Sequence, residues 1–229
     1  MKGEVGAVQA DVRYSFTASF LHAAAIFTAR AHEIEALPAE GHTEERFAEH
    51  RGYVVAAVMQ AVAALEAEIY EVAVHGPGHH LGSNRVDSAA RDFLAPLEEL
   101  VDKQEILQRY VLVLHLLKKE PIPRDGSLWE ETSLLVRLRN RLVHYKSRWG
   151  REMDPTRLLA SLRKLKLRRP SFITEHEIFF PNQCLGAACG GWAVNTSLTF
   201  LRVFYSRLGF PSPVEHIESK IVSLLKVLE

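Results

Sequence analysis

At 229 residues, with 47% hydrophobic and 24% charged side chains, the chain has length for one or two globular domains. That composition excludes a wholly disordered, collagen-like or coiled-coil protein. The 28 basic and 28 acidic side chains cancel, and two cysteines, Cys184 and Cys189, are too few for a disulfide framework or a four-thiolate zinc site, so a reducing, cytoplasmic setting is expected.

The opening MKGEVGAVQADVRYSF lacks the apolar core of a signal peptide. A first helix is predicted over about 14–35, where Phe20, Ala24, Phe27, Ala31 and Ile34 recur at helical spacing; Leu37, Pro38 and Gly41 end it. Thr43 suits the start of a second helix, whose Val54, Val58, Ala61, Leu65, Ile69 and Val72 make one apolar stripe. Its many alanines and valines admit a close neighbour, and Gly76 and Pro77 stop it. After the loop HGPGHHLGSN, Asp87 or Ser88 caps a third helix that runs to about 119, with Pro96 as a kink or restart. PIPRDGS is a break. A fourth helix is predicted over about 128–149, with Gly150 and Pro155 at its exit, and PTRLLASLRKLK makes a short basic helix. RRPSFITEHEIFFPNQ reads as irregular or as a short strand pair, and two helices follow near 187–208 and 214–228. The longest uncharged run, 178–201, holds Pro181, Asn182, Gln183 and Asn195, groups that a bilayer would leave unsatisfied, so no membrane is implied. Short breaks between long amphipathic helices predict one all-α domain over 1–229, an antiparallel helical bundle with additional C-terminal helices.

The zero net charge hides an asymmetry. Residues 1–120 carry 11 basic and 18 acidic side chains, residues 121–229 carry 17 and 10, and the stretch 121–169 alone carries 13 and 5. Either the basic half attracts a polyanion or the two halves pack together and neutralise each other. Within the fourth helix, Leu135, Leu138, Leu142, Tyr145 and Trp149 form a core stripe. Ser133, Arg137, Asn140, His144 and Arg148 occupy another face, and no carboxylate appears between Glu131 and Glu152. A histidine among arginines without acidic partners along the helix is an unusual surface, because their mutual repulsion is relieved by nothing on that helix. Val136 and Val143 form a small second apolar strip, suited to a two-fold contact.

The string LRNRLVHY contains Arg139-Asn140-Arg141-Leu142-Val143-His144. It resembles the R-x4-H motif, in its R-N-x-x-x-H form, of HEPN (higher eukaryotes and prokaryotes nucleotide-binding) domains. The alanine-rich second helix with Leu65-Glu66 is similar to the family's layout, and the likeness covers about 12–149, leaving 150–229 as a C-terminal helical extension. The resemblance implies a homodimer that cleaves RNA without a metal or other cofactor, in a toxin–antitoxin or antiphage setting with a cognate antitoxin or defence partner. It also implies catalytic roles for Arg139, Asn140 and His144. One toxin subgroup has R-x4-H-x-Y with a modified tyrosine; here Tyr145 directly follows His144 and Lys146 takes the tyrosine position, so that modification is not implied.

Metal-free RNA cleavage needs a base near neutrality for the ribose 2′-hydroxyl and cationic donors for the phosphoryl charge. Histidine is the residue type suited to the base, and His144 supplies one here. Arg139 and His144 lie about 140° apart on an ideal helix, so a dimer that packs this helix on its copy would bring Arg139 of one chain to His144 of the other. Arg137, Arg141 and Arg148, with Lys164, Lys166, Arg168 and Arg169 of RKLKLRRP, are candidate RNA-binding side chains; the latter run reads equally as a solvated helix end. Of Glu66 and Glu68 on the second helix, either one pairs with an arginine of the fourth helix or both are solvated. A non-catalytic module binding RNA, a nucleotide or a protein partner, and a purely structural dimer, are the rival readings. His75, His79 and His80 lack a cysteine or carboxylate at ligand spacing and read as a flexible polar loop, so no metal site is expected. Cys184 and Cys189 read as buried thiols at a helix start, and the glycines of GAACGG as positions of close helix packing.

Overall fold

The computed structural model describes residues 15–82, 85–145 and 157–228. Among these the regular structure is helical: α1 (Thr17–Glu35), α2 (Glu44–His75), α3 (Ser88–Leu94), α4 (Glu98–Asp102), α5 (Ile106–Leu116), α6 (Ser127–Val143), α7 (Arg157–Lys164), α8 (Ala187–Leu208) and α9 (Glu215–Leu225), with no strand. The all-α bundle follows from the apolar periodicity. Val54, Val58, Ala61, Leu65, Ile69 and Val72 are all fully buried on α2.

Local chemistry sets the helix starts. The Thr43 hydroxyl accepts the Arg46 N–H to cap α2, and the Asp87 carboxylate accepts the Ala90 N–H to cap α3. Glu35, at the end of α1, does the same for a distant element: its Oε1 accepts the Ala187 N–H at 2.7 Å, which places a carboxylate at the N-terminus of α8. The same oxygen meets His50 Nε2 at 2.8 Å, so α1, α2 and α8 are tied at one buried point.

α1 and α2 form an antiparallel hairpin, and α8 packs against both. Gly190 lies against Ala57, Ser197 donates to the Ala61 carbonyl and Tyr205 reaches Glu68, so α8 runs parallel to α2. The helices approach closely because Gly190 has no Cβ: one placed there would lie 2.6 Å from Thr28 Oγ1. The glycines of GAACGG therefore serve helix packing. α8, in the segment read as an extension, is a central helix of the bundle. α2 is long and apolar enough to cross a membrane by length and composition, and here it forms the wall shared by α1, α5, α6 and α8. From α5, Tyr110 inserts edge-on against Phe200 and Phe204, and its hydroxyl donates to the Leu65 carbonyl at 2.8 Å.

Four sequence expectations need correction. The helix expected from Asp87 to about 119 is three pieces, because Pro96 sits in a 3-10 turn and the chain breaks again between α4 and α5. α6 stops at Val143 with His144 as its C-cap, short of the expected 149; Trp149, Gly150 and Pro155 lie outside the described residues. Leu135 and Leu138 are fully buried as expected, but Leu142 is half-buried and Tyr145 exposed, because the helix that would carry the stripe onward has ended. The loop HGPGHHLG is not a flexible polar loop but buries His79 against α2; the segment 168–183, in turns with a helical turn over Phe179–Gln183, follows the irregular one of its two readings.

Candidate functional site

Two groups of polar side chains stand on opposite sides of α2. The first is at the C-terminal end of α6. Arg139 Nη2 donates to Glu66 Oε1 of α2 at 2.5 Å, with Arg139 mostly covered and Glu66 more open. This charge-assisted contact fixes a long cation that nothing on α6 itself would fix. One turn on, the His144 N–H donates to the Asn140 carbonyl at 3.0 Å, and the His144 side chain is exposed, as are Asn140 and Arg137. Arg141 is half-buried. The rise from Arg139 to His144 is about 7.5 Å along the axis, so within one chain these two groups form the two sides of an open helix end.

The neighbouring basic run lies close to this end. α7 packs on α6. Tyr145 meets Phe180 with ring centroids 6.2 Å apart, and the Arg163 guanidinium lies 4.6 Å over the Phe179 ring. Lys164, Lys166, Arg168 and Arg169 are exposed, with the Arg169 Nε–H donating to the Ile173 carbonyl. Arg148 lies outside the described residues. Across the charge asymmetry, Arg139–Glu66 and Arg207–Glu120 join the basic half to the acidic half, while Arg137, Lys164, Lys166, Arg168 and Arg169 are exposed.

The second group corrects the sequence reading of HGPGHHLG. That loop is folded inward. Gly76, Gly78 and Gly82 all have positive φ, a conformation glycine adopts without strain, and they turn the chain back along α2. A Cβ at Gly78 would also lie 2.7 Å from the Phe210 ring. The reversal buries His79 between two glutamates of α2, with Nε2 3.0 Å from Glu68 Oε1 and Nδ1 3.5 Å from Glu71 Oε2. Tyr205 of α8 donates its hydroxyl to Glu68, and the His80 ring stands edge-on to both His79 and Tyr205 at 5.4 and 5.2 Å between centroids. Carboxylates do accompany these histidines. They come from α2, eight and eleven residues upstream of His79, a separation that a search at ligand spacing does not span.

The electrostatics of this group are divided. Burial pushes the Glu68 carboxyl up, but His79, through its hydrogen bond and charge, and the Tyr205 and Thr17 hydroxyls outweigh burial and hold it below the ordinary range. Burial, then the charge of Glu68, raises Glu71 despite His79. Burial also lowers the His80 imidazole below its usual value, with His79 adding to the effect and Glu68 opposing it. Among the described residues, Glu68, Glu71 and His79 are the one group whose donor atoms lie close enough to surround a metal ion. A cleft of about 1440 Å³ lies over His79 and His80 and opens between the ends of α1, α2 and α9.

Set against known proteins, the chain matches no protein-family model, no curated protein and no solved structure.

Proposed function

We propose that the chain is a HEPN-type, metal-independent endoribonuclease that works as a homodimer in the cytoplasm, in a toxin–antitoxin or antiphage setting. The observation that carries this reading is the Arg139–Glu66 pair, which holds the motif arginine in place beside an exposed Asn140 and His144. A preorganised cation contributes more to transition-state charge than a mobile one, because no reorganisation is left to pay for. In the proposed reaction the His144 imidazole takes the proton of a ribose 2′-hydroxyl. The hydroxyl oxygen attacks the adjacent phosphorus, the 5′-oxygen leaves, and a 2′,3′-cyclic phosphate remains. Arg139 of the partner copy faces the phosphoryl oxygens, Asn140 orients the imidazole or a phosphate, and Arg137, Arg141, Arg148, Lys164, Lys166, Arg168 and Arg169 hold the flanking backbone. The exposed Val143 and half-buried Val136 supply the apolar contact for the two-fold.

The test is cleavage of a defined RNA by purified protein in EDTA. Cutting should persist, leave a cyclic or 3′-phosphate, and stop when the nucleotide 5′ of the cut carries 2′-deoxyribose. His144→Ala should lose about 10²–10⁴-fold and Arg139→Ala on the order of 10²–10³-fold. Replacing Lys164, Lys166, Arg168 and Arg169 by glutamine should weaken RNA binding and flatten its salt dependence. Loss of cutting in EDTA, wild-type rates in both single variants, or a monomer by light scattering at micromolar concentration would overturn the reading. Protein that binds RNA and never cuts it is a binding module instead.

A further inference from the structure

We propose that Glu68, Glu71 and His79 form a binding site for a divalent first-row transition metal of the Zn²⁺ class. The site is separate from the ribonuclease proposed above. Glu66 and Glu68 are two residues apart on α2, about 200° around the helix, so one faces α6 and the other faces α1 and α8.

Four observations support the assignment. The first is spacing. Glu68 and Glu71 stand three apart on one face of α2, and His79 is folded onto them, so that one donor atom from each lies within 4.8 Å of the other two. Donors about 2.1 Å from a tetrahedral ion are about 3.4 Å from each other. His79 Nε2 lies 3.0 Å from Glu68 Oε1, while Glu71 Oε2 lies 3.5 Å from Nδ1 on the other side of the ring. Since one ion takes one ring nitrogen, the three donors, within 4.8 Å of one another, must draw together by about an ångström to hold it.

The second is unfilled capacity. Glu68 is fully buried, and although the Thr17 hydroxyl lies beside it, its Oε2 makes no well-formed hydrogen bond. Buried acceptors left this way are costly, and metal ligands are the atoms for which the cost is recovered. The third is charge. Two ionised carboxylates beside the buried His79 sum to −2, and a dication with a neutral imidazole brings the total to zero. The fourth is support and access. Tyr205 donates to Glu68 Oε1, the oxygen that also faces His79 Nε2, with its hydroxyl 3.4 Å from that nitrogen; such a bond orients the carboxylate and leaves Oε2 for a further partner. The cleft over His79 and His80 provides the way in. One imidazole and two carboxylates suit Zn²⁺, Mn²⁺ or Fe²⁺ better than the all-oxygen shells of Ca²⁺ and Mg²⁺.

The experiment is calorimetric titration of EDTA-stripped, dialysed full-length protein with Zn²⁺, paired with Co²⁺ absorption as a spectroscopic probe of the ligand field. The expected result is one ion per chain, a visible Co²⁺ d–d band that Zn²⁺ displaces, and a Tm raised by about 5–10 °C at a hundredfold excess of Zn²⁺ over Kd. Glu71→Gln and His79→Gln should each weaken Zn²⁺ binding by at least about tenfold. Wild-type protein that shows no Zn²⁺ heat and no Co²⁺ band overturns the site without recourse to any variant. So does a folded Glu71→Gln protein that binds as tightly as wild type. RNA cleavage is a separate readout: stripping the metal should leave it intact, and its loss would count against the ribonuclease mechanism while leaving the metal titration to decide this site.

Discussion

Gly190→Ala probes the closest helix contact in the bundle. A Cβ there would stand 2.6 Å from Thr28 Oγ1, 3.3 Å from Thr28 Cβ and 3.4 Å from Ala57 Cβ. Only the first distance is prohibitive, about 0.8 Å short of ordinary contact. Thr28 cannot swing away easily, because it is fully buried and its hydroxyl donates to the Ala24 carbonyl at 2.9 Å. Overpacking of this kind costs about 1–3 kcal/mol, and alanine returns about 1 kcal/mol of helix propensity over glycine. The expected net loss is up to about 2 kcal/mol, a fall in Tm of up to roughly 8 °C for a chain of this size. In a Thr28→Ala background the clashing oxygen is gone and only the two tolerable contacts remain. There Gly190→Ala should be neutral or stabilising by up to about 1 kcal/mol. Thermal or urea unfolding of the four proteins in this cycle reads the coupling directly. Equal effects of Gly190→Ala in both backgrounds would refute the packing argument, and so would stabilisation in the wild-type background.

Two further outcomes follow from buried groups. Burial pushes the Cys189 thiol up to about 12 and raises Cys184 as well. The thiolate fraction of Cys189 at pH 8 is therefore about 10⁻⁴, and both thiols should resist a disulfide-exchange reagent in native buffer yet react fully in denaturant; rapid native labelling would contradict the burial. Glu35→Ala removes the partner of both His50 and the Ala187 N–H. Leaving a buried hydrogen-bonding group without its partner costs about 1–3 kcal/mol, so the urea midpoint should drop, and an unchanged midpoint would mean that the three-helix junction contributes nothing.

The bundle was readable in the sequence because periodicity and caps act locally. The stripe of α2, the Thr43 cap and the glycine pair of α8 each declare themselves within a few residues. The end of α6 did not: no glycine or proline follows Val143 until Gly150, and Tyr145 and Trp149 continue the apolar spacing. Arg139 and Glu66 could be named in advance but not paired with certainty, since their meeting depends on how α6 crosses α2. The His79 group was missed because its geometry lies in the φ values of Gly76 and Gly78. A sequence signal was present all the same. Glu68 falls on the same turn-by-turn stripe as Ala61, Leu65 and Val72, and a carboxylate at a core position asks for a partner.

The parallel placement of α8 against α2 also sets a timetable for synthesis. The α1–α2 hairpin can form as soon as residue 75 has left the ribosome, but the face that carries Ala57, Ala61 and Glu68 is covered by α8, which ends at Leu208. Roughly 130 residues must be added in between, about 7–25 s at ordinary elongation rates. For that interval the nascent chain displays an apolar groove and a Glu68 carboxylate that lacks its Tyr205 donor. A chain stalled before residue 187 should therefore be held by chaperones, whereas one stalled after residue 208 should already be released.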